Sequence, residues 1–343
     1  MSKKLKKSCP RGSSLSCEQN QTFVSSVYNP EANVVLYQGS CVDLMASIPS
    51  GSVQLVVTSP PYNIGKQYEH RVSLERYLEQ QEVIIKECVR LLADTGSLCW
   101  QVGNYIGKDE IVPLDLALYP IFKKYGLFMR NRIVWHFEHG LHCSKRFSGR
   151  YETINWLTKS DKYVFNLDPI RIPQKYPNKK YFKGPRAGQL SCNPLGKNPG
   201  DVWIIPNVKH NHVEKTNHPC QFPVELIERL VLSMTNPGDL VLDPFMGAGT
   251  SAVAAVIHNR KAAGAEIVSD YVKIARERVE LAMSGKLQTR PMNRPIYTPK
   301  ISPEFPAVSY KPTKHVKHPD QPMLLDRRSR HTLRKSKKEF AYA

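Results

Sequence analysis

Leu240-Val241-Leu242-Asp243-Pro244-Phe245-Met246-Gly247-Ala248-Gly249-Thr250 is the stretch from which the rest of the chain can be read. Three apolar residues ending on an acid predict a buried strand. A tight Gly-x-Gly turn follows, and a helix is predicted from Thr250 to His258. Glycine lets a backbone approach a ligand closely, and open parallel sheets bind ligands at the carboxyl ends of their strands. The next predicted strand, Ala262 to Glu266, ends in Gly264-Ala265-Glu266, which brings a second carboxylate beside the turn, where it can accept hydrogen bonds from ribose hydroxyls. A lone Gly-x-Gly is a common turn. Strand, turn and the acid on the following strand together point to a nucleoside cofactor, and the missing third glycine of the dinucleotide fingerprint argues against NAD or FAD.

The same alternation extends outward. Helices are predicted over Val224–Met234 and Ser269–Met283, which completes a βαβα unit. Upstream, strands are predicted over Asn33–Tyr37, Val53–Thr58, Ser97–Val102 and Asn131–Trp135, with helices over Leu74–Leu92 and Ile111–Lys124. Near-continuous apolar strands separated by helices imply an α/β fold, a Rossmann-like, doubly wound and mostly parallel sheet covered on both faces.

The chain has 343 residues and a net charge of +19, so it should attract polyanions. No apolar run approaches the ~18 residues of a spanning helix, and the basic N-terminus has no apolar stretch behind it, so neither a membrane anchor nor a secretory signal is expected. The eight cysteines form no CxxC pair, which suits a reducing, cytoplasmic setting. Composition divides the chain into a basic N-terminal segment (1–30), a first α/β segment (31–168), a loop-rich insert (169–216), a second α/β segment (217–284) and a Pro-rich basic tail (285–343). From Lys286 onward, 14 Lys and Arg stand against 4 Asp and Glu, which predicts a mobile tail. The insert interleaves Tyr, Phe, Lys and Arg, as in Gln174-Lys175-Tyr176-Pro177-Asn178-Lys179-Lys180-Tyr181-Phe182, a composition suited to phosphates and bases, or to a long excursion packed on the core.

Directly after the Val53–Thr58 strand stands Ser59-Pro60-Pro61-Tyr62. Consecutive prolines fix the backbone and leave carbonyl oxygens free to accept. A serine hydroxyl adds an acceptor and a tyrosine adds a flat face. Those parts suit a planar base held by its exocyclic amine; they also suit a proline-stiffened strand end with a core tyrosine.

With the glycine turn, these residues resemble the β-class amino-group DNA methyltransferases that use S-adenosylmethionine, over about residues 33–283. The order matches that class: catalytic motif first, basic insert next, glycine turn last. Tyr37-Gln38-Gly39-Ser40-Cys41-Val42-Asp43 is similar to the family's opening cofactor turn, with Ser40 where the family usually has an acid. Asn217-His218-Pro219-Cys220-Gln221-Phe222-Pro223 is similar to the segment leading into the cofactor unit, and Arg132–Trp135 and Tyr151–Ile154 to strands that complete the sheet. The resemblance implies Ser59, Pro60, Pro61 and Tyr62 as catalytic residues. It implies Ser40, Cys41, Asp243, Phe245, Gly247, Gly249, Thr250 and Glu266 as cofactor residues, 169–216 as the target-recognition insert, and no metal. It further implies double-stranded DNA as substrate, a flipped target base, a cognate restriction endonuclease, and a monomer or homodimer. Serine at the first motif position is associated with cytosine N4, with adenine N6 the alternative.

Other readings carry less. His210, His212, His218, Cys192 and Cys220 match no common zinc spacing, and His136, His139, His142 and Cys143 sit beside Lys145 and Arg146, better suited to phosphate, base or packing contacts. His210-Asn211-His212 lacks the ββα surroundings of the nuclease motif it spells. C5 methylation needs a Pro-Cys nucleophile, and Pro219-Cys220 lies in the cofactor-side segment. A catalytically silent DNA-binding subunit should show damaged turns, whereas both are intact; an RNA methyltransferase differs in the polymer it modifies.

Overall fold

A computed structural model describes residues 23–296, apart from 64, 66–70, 108–109, 141 and 210. The predicted N-terminal segment up to residue 22, the tail from 297 and His210 lie outside the described residues. In chain order the elements begin with β1 (Val24–Ser25), β2 (Val34–Gln38), α1 (Cys41–Ser47), β3 (Val53–Thr58), α2 (Leu74–Leu91) and β4 (Leu92–Val102). Then come β5 (Asn104–Ile106), β6 (Ile111–Pro113), α3 (Leu114–Lys124), β7 (Phe128–His136) and β8 (Tyr151–Thr158). The last are β9 (Val202–Ile204), α4 (Val224–Met234), β10 (Leu240–Asp243), α5 (Thr250–Val256), β11 (Lys261–Glu266) and α6 (Ser269–Met283).

Nine strands make one sheet in the order β1-β2-β11-β10-β3-β4-β8-β7-β9. Pairing is parallel from β1 through β4 and again between β7 and β9; β8 is antiparallel to both its neighbours. The sheet is thus mostly parallel with one reversed strand. Because β3 pairs with β10, the two predicted α/β segments interleave in a single sheet.

The central strands feed two cores. Val34, Leu36, Leu55 and Val57 face α4, α5 and α6, while Val35, Val53 and Val56 face α1, α2 and α3. Alternate side chains leave opposite faces of a strand, so a strand covered on both faces must be apolar throughout. Each fully buried Leu, Ile or Val contributes about 1.5–3 kcal/mol.

Strands β4 and β7 begin earlier than expected, at Leu92 and Phe128 instead of Ser97 and Asn131, and three further places differ. Ile111–Pro113 pairs antiparallel with β5 instead of opening α3. Pro113 biases the preceding residue toward extended backbone, so the helix starts only at Leu114. Helix α5 ends at Val256, before a turn in which Asn259 is left-handed (φ 60°). The insert contributes β9, whose middle residue Trp203 is buried while Val202 and Ile204 are exposed. Residues 172–197 of the insert form a finger, in which Ile172 bridges Lys197 at the base and Lys180 bridges Leu190 further out, while Asn207, Lys209 and Lys215 return to line a cavity.

Candidate active site at the carboxyl ends of the strands

The turn after β10 is built on its acid. Asp243 is buried and accepts from Thr58 Oγ1 (2.6 Å), from the Phe245 N–H (3.1 Å) and from Ser251 Oγ. It therefore ties β3, the turn and α5 together from beneath. Burial pushes its carboxyl up to about 6, against the pull of those hydrogen bonds. The turn rises over it with Gly247 at φ +52° and Gly249 at φ +74°. A Cβ on Gly249 would stand 2.8 Å from the Ala275 Cβ of α6; one on Gly247 would stand 2.9 Å from His218 Nε2. Arg278, also from α6, donates to the Ala248 carbonyl (2.5 Å) and Thr250 Oγ1 (2.9 Å), and burial lowers it to about 10.

Glu266 ends β11 beside this turn. Its carboxylate accepts from the N–H groups of Gly247 (3.1 Å) and Val268 (2.8 Å), which orients it. Burial raises its pKa, and the surrounding backbone N–H groups oppose the shift. Across β2, Ser40 caps α1 by accepting from the Val42 N–H (3.2 Å), and burial pushes the Cys41 thiol up to about 11, so it is a neutral apolar wall.

After β3 the chain turns through Ser59-Pro60-Pro61-Tyr62. Ser59 Oγ and the Tyr62 hydroxyl are 2.8 Å apart, and the Tyr62 hydroxyl donates to Glu152 Oε2 (3.1 Å). Gln101 Nε2 donates to the Tyr62 oxygen (3.2 Å) and to Glu152 Oε2. Burial, then the Glu152 carboxylate, push the Tyr62 phenol well above its usual range.

One cavity of about 580 Å³ joins these parts. Ser59, Pro61 and Tyr62 line it on one side; Phe245, Gly247, Thr250 and Glu266 line it on the other, where Ser40 and Cys41 join them from the end of β2 next to β11. Three of the residues predicted for the site lie off its wall: Pro60 is buried behind Pro61, Asp243 is under the turn, and Gly249 packs on α6. Further residues join from elsewhere: Gln101 on β4, Glu152 on β8, Trp135 on β7, and His218 with Tyr271 at the glycine turn. His218 meets Tyr271 edge-on at 4.4 Å, accepts from the Cys220 N–H at Nδ1 (3.2 Å), and is pushed down to about 4, chiefly by burial, so it is neutral. The segment 217–223 signalled His218 locally. Gln101, Glu152 and Trp135 lie in segments read only as strands of the sheet, and strand register brings them to the cavity. Among the described residues no group of three His, Cys, Asp or Glu could hold a metal, and no helix is long and apolar enough to cross a membrane.

The strands thus end over one cavity, with the acid and glycine turn on one wall and the Ser-Pro-Pro-Tyr turn on the other. The DNA methylase family profile matches residues 53–277. The chain is 55% identical over 241 residues to the type II methyltransferase M.BglII of Bacillus subtilis, covering 70% of this chain and 67% of that one. It is 32% identical over 261 residues to the DNA adenine methyltransferase YhdJ of Escherichia coli K12, covering 74% and 85%. Among solved structures, the cytosine-N4-specific PvuII DNA methyltransferase shares the fold with a TM-score of 0.59 at 20% identity, over 76% of this chain and 94% of that one. A Thermus thermophilus protein solved with S-adenosyl-L-methionine has a TM-score of 0.53 at 28% identity, over 73% and 96%. The chain belongs to the N6/N4 DNA methylase family, whose methyl donor is S-adenosylmethionine.

Proposed function

We propose that the chain is a site-specific methyltransferase that modifies the exocyclic N4 of cytosine in duplex DNA, as the modification enzyme of a restriction system. The observation that carries this reading is the meeting of Ser59 and Tyr62 with Gly247 and Glu266 on one cavity wall. A volume of about 580 Å³ lies within the range of small-molecule sites and has room for a nucleoside beside a base.

The residues of the turn fit S-adenosylmethionine. Glu266, oriented by two N–H groups, keeps lone pairs for ribose hydroxyls, and Phe245 offers a flat face. Gly247 presents backbone where any side chain would strike His218. Ser40, Cys41 and Thr250 complete the wall, while Asp243 and Gly249 hold the turn in shape. Bound there, the cofactor supplies a methyl group on a sulfonium sulfur.

The other half receives the base. The lone pair of an exocyclic amine is delocalised into the ring, and acceptors on its hydrogens favour a pyramidal nitrogen that can attack in line. In this reading Ser59 Oγ accepts from the amine, Pro60 from behind and Pro61 at the wall stiffen the turn, and the Tyr62 ring stacks on the base. Orientation of this kind is worth up to roughly 7–11 kcal/mol. The target nucleotide must leave the duplex to reach the cavity, at a cost of a few kcal/mol. The finger of the insert would grip phosphates: Tyr176 and Phe182 are exposed, with Lys175 over the first ring (5.6 Å) and Lys183 over the second (6.0 Å). Serine before Pro-Pro-Tyr favours cytosine N4. Adenine N6 is the second reading, favoured by the similarity to an adenine methyltransferase. The similarity to a type II methyltransferase supports a partner endonuclease.

Digesting plasmid methylated by the full-length chain and identifying the modified nucleoside by mass spectrometry tests both activity and base. N4-methylcytosine supports the proposal, N6-methyladenine replaces it with the second reading, and an unmodified plasmid overturns both.

A further inference from the structure

The direction of the hydrogen bonds behind Ser59 is set from the far end. Gln101 and Glu152 reach the base half of the cavity from β4 and β8, outside either sequence motif. The Glu152 carboxylate has no cation within ion-pair distance among the described residues. Its Oε2 accepts from both Tyr62 and Gln101. A carboxylate can only accept, so the single proton of the Tyr62 hydroxyl is committed to Glu152. The Gln101 amide nitrogen also faces the Tyr62 oxygen. Its own Oε1 is buried without a hydrogen-bond partner, an orientation the carboxylate imposes by demanding the N–H side. The Tyr62 oxygen is therefore an acceptor toward Ser59, and Ser59 must be the donor in that pair. The Ser59 lone pairs are not used by Tyr62, and Ser59 stands on the cavity wall.

Hydrogen bonds thus run in one sense from the cavity: Ser59 to Tyr62 to Glu152. We propose that Ser59, Tyr62 and Glu152 form a proton relay in which Glu152 is the terminal acceptor of the proton released by the methylated amine. This deepens the methyltransferase reading above and rests on it. As the amine nitrogen bonds to the methyl carbon, the carbon–sulfur bond breaks and its electron pair stays on sulfur. The nitrogen then carries one proton too many. That proton passes to Ser59 Oγ as the serine proton passes to the Tyr62 oxygen and the tyrosine proton to Glu152 Oε2. An amine, a sulfonium and a carboxylate become a methylamine, a thioether and a carboxylic acid, so the positive and negative charges cancel inside the cavity. Burial raises the Glu152 pKa, which makes the carboxylate a better proton acceptor than one in water.

The surroundings keep the titration simple. Tyr62 and Gln101 face Glu152 from the motif turn and β4; β7 presents Trp135 opposite it in register, and Gly103 packs over both Tyr62 and Glu152. His139, Lys209 and Lys215 line the same cavity without an ion pair to it.

The test uses the full-length chain on a duplex shown by mass spectrometry to be methylated by the wild type. If the wild type transfers no methyl group, the methyltransferase reading itself fails. If it does, Glu152→Gln keeps an acceptor for Tyr62 but cannot take its proton. Turnover should fall about a hundredfold, the usual scale of acid–base catalysis, with cofactor affinity by calorimetry unchanged. Wild-type turnover should rise with pH through the Glu152 ionisation, and the variant should lose that acid limb. Infrared titration of the cofactor-free protein should show a carboxyl band titrating above the ordinary glutamate range, absent from Glu152→Gln. Tyr62→Phe removes the middle hydroxyl and keeps the ring; its loss should not add to that of Glu152→Gln. Unchanged turnover in Glu152→Gln, a retained acid limb, no such carboxyl band, or additive losses in the double variant would each overturn the relay. If Glu152→Gln fails to fold, Glu152→Asp should retain the acid limb at lower turnover, and a limb missing there overturns it equally.

Discussion

The glycine turn and the finger of the insert treat their polar groups in opposite ways. At the turn, Asp243 accepts three hydrogen bonds, Glu266 two, and Arg278 reaches both a carbonyl and a hydroxyl. In the finger, Lys175, Lys179, Lys180, Lys183 and Arg186 are all exposed, and Phe182 keeps 89% of its surface in solvent. Chemistry needs reacting groups held to within a fraction of an ångström, and the turn is preorganised for that. Recognition of a duplex can be completed by the partner, and the finger leaves its charges unspent until one arrives. The comparison implies that changes at the turn and its facing motif alter turnover or cofactor binding, whereas changes in the finger alter DNA affinity.

The largest effect on turnover belongs to Ser59→Ala. Loss of the acceptor leaves the amine flat and the relay without its entry, so turnover on duplex DNA should fall at least about a hundredfold. Cofactor affinity measured by calorimetry should stay close to wild type, because Ser59 lies across the cavity from Glu266. A parallel loss of cofactor affinity would merge the two halves that the comparison keeps separate.

The next effect is on stability. His218 is lowered to about 4, so it stabilises the fold above its unfolded pKa near 6.5, and that contribution is lost as pH falls toward 4. Asp243 is raised to about 6, so it has the opposite sign: its ionisation costs stability as pH rises from 3.8 through 6. Each is on the order of 3 kcal/mol when complete, and between pH 4 and 6 they oppose each other. His218→Asn, whose side-chain oxygen can take the Cys220 N–H in place of Nδ1, should remove the first and leave the second. Its melting temperature should then rise from pH 6 to pH 4 by more than that of the wild type. Identical pH profiles would show that His218 does not titrate with folding.

Gly247→Ala comes third. The added methyl would stand 2.9 Å from His218 Nε2, on a residue at φ +52°. Strain of about 1–3 kcal/mol at the turn should weaken cofactor binding about tenfold or more, with DNA affinity unchanged. Combining it with His218→Asn should recover part of the loss if the clash with the ring is its source.

These residues also show how far local sequence reaches. Gly247, Glu266, Ser59 and Tyr62 were legible because each sits in a short strand–turn pattern whose geometry follows from neighbours in the chain. Val224–Met234 and Ser269–Met283 were legible as helices to the residue because their apolar spacing continues unbroken. Glu152 and Gln101 were legible only as strand residues, since the antiparallel register of β8 against β4 is what brings them behind Tyr62. The resemblance implied Asp243 as a cofactor residue, yet its side chain is drawn beneath the turn by Thr58 and Ser251. The three residues of β9 were hidden in a Pro- and Gly-rich insert, and only pairing with β7 makes them a strand.

The finger is where the smallest effect on turnover should appear, and where the comparison can be broken most directly. Replacing Lys179, Lys180, Lys183 and Arg186 together with Ala removes four exposed charges, one just before the Lys180–Leu190 bridge and three on or beyond it. The finger's internal backbone bonds, such as Tyr181 N–H to the Gln189 carbonyl (3.0 Å) and Ser191 N–H to the Lys179 carbonyl (2.8 Å), do not involve those side chains, so its shape should persist. Each side chain that neutralises a phosphate steepens the dependence of log affinity on log salt by roughly 0.9. The variant should therefore bind duplex DNA more weakly at low salt and with a shallower salt slope, while turnover at saturating DNA and cofactor affinity stay at wild-type values. A shallower slope with unchanged turnover means that gripping the duplex and positioning the amine are separable functions of two differently built regions. If turnover fell even at saturating DNA, the finger would be helping to seat the flipped base, and the division between a preorganised chemical half and a partner-completed recognition half would have to be redrawn with the cavity rim on the recognition side.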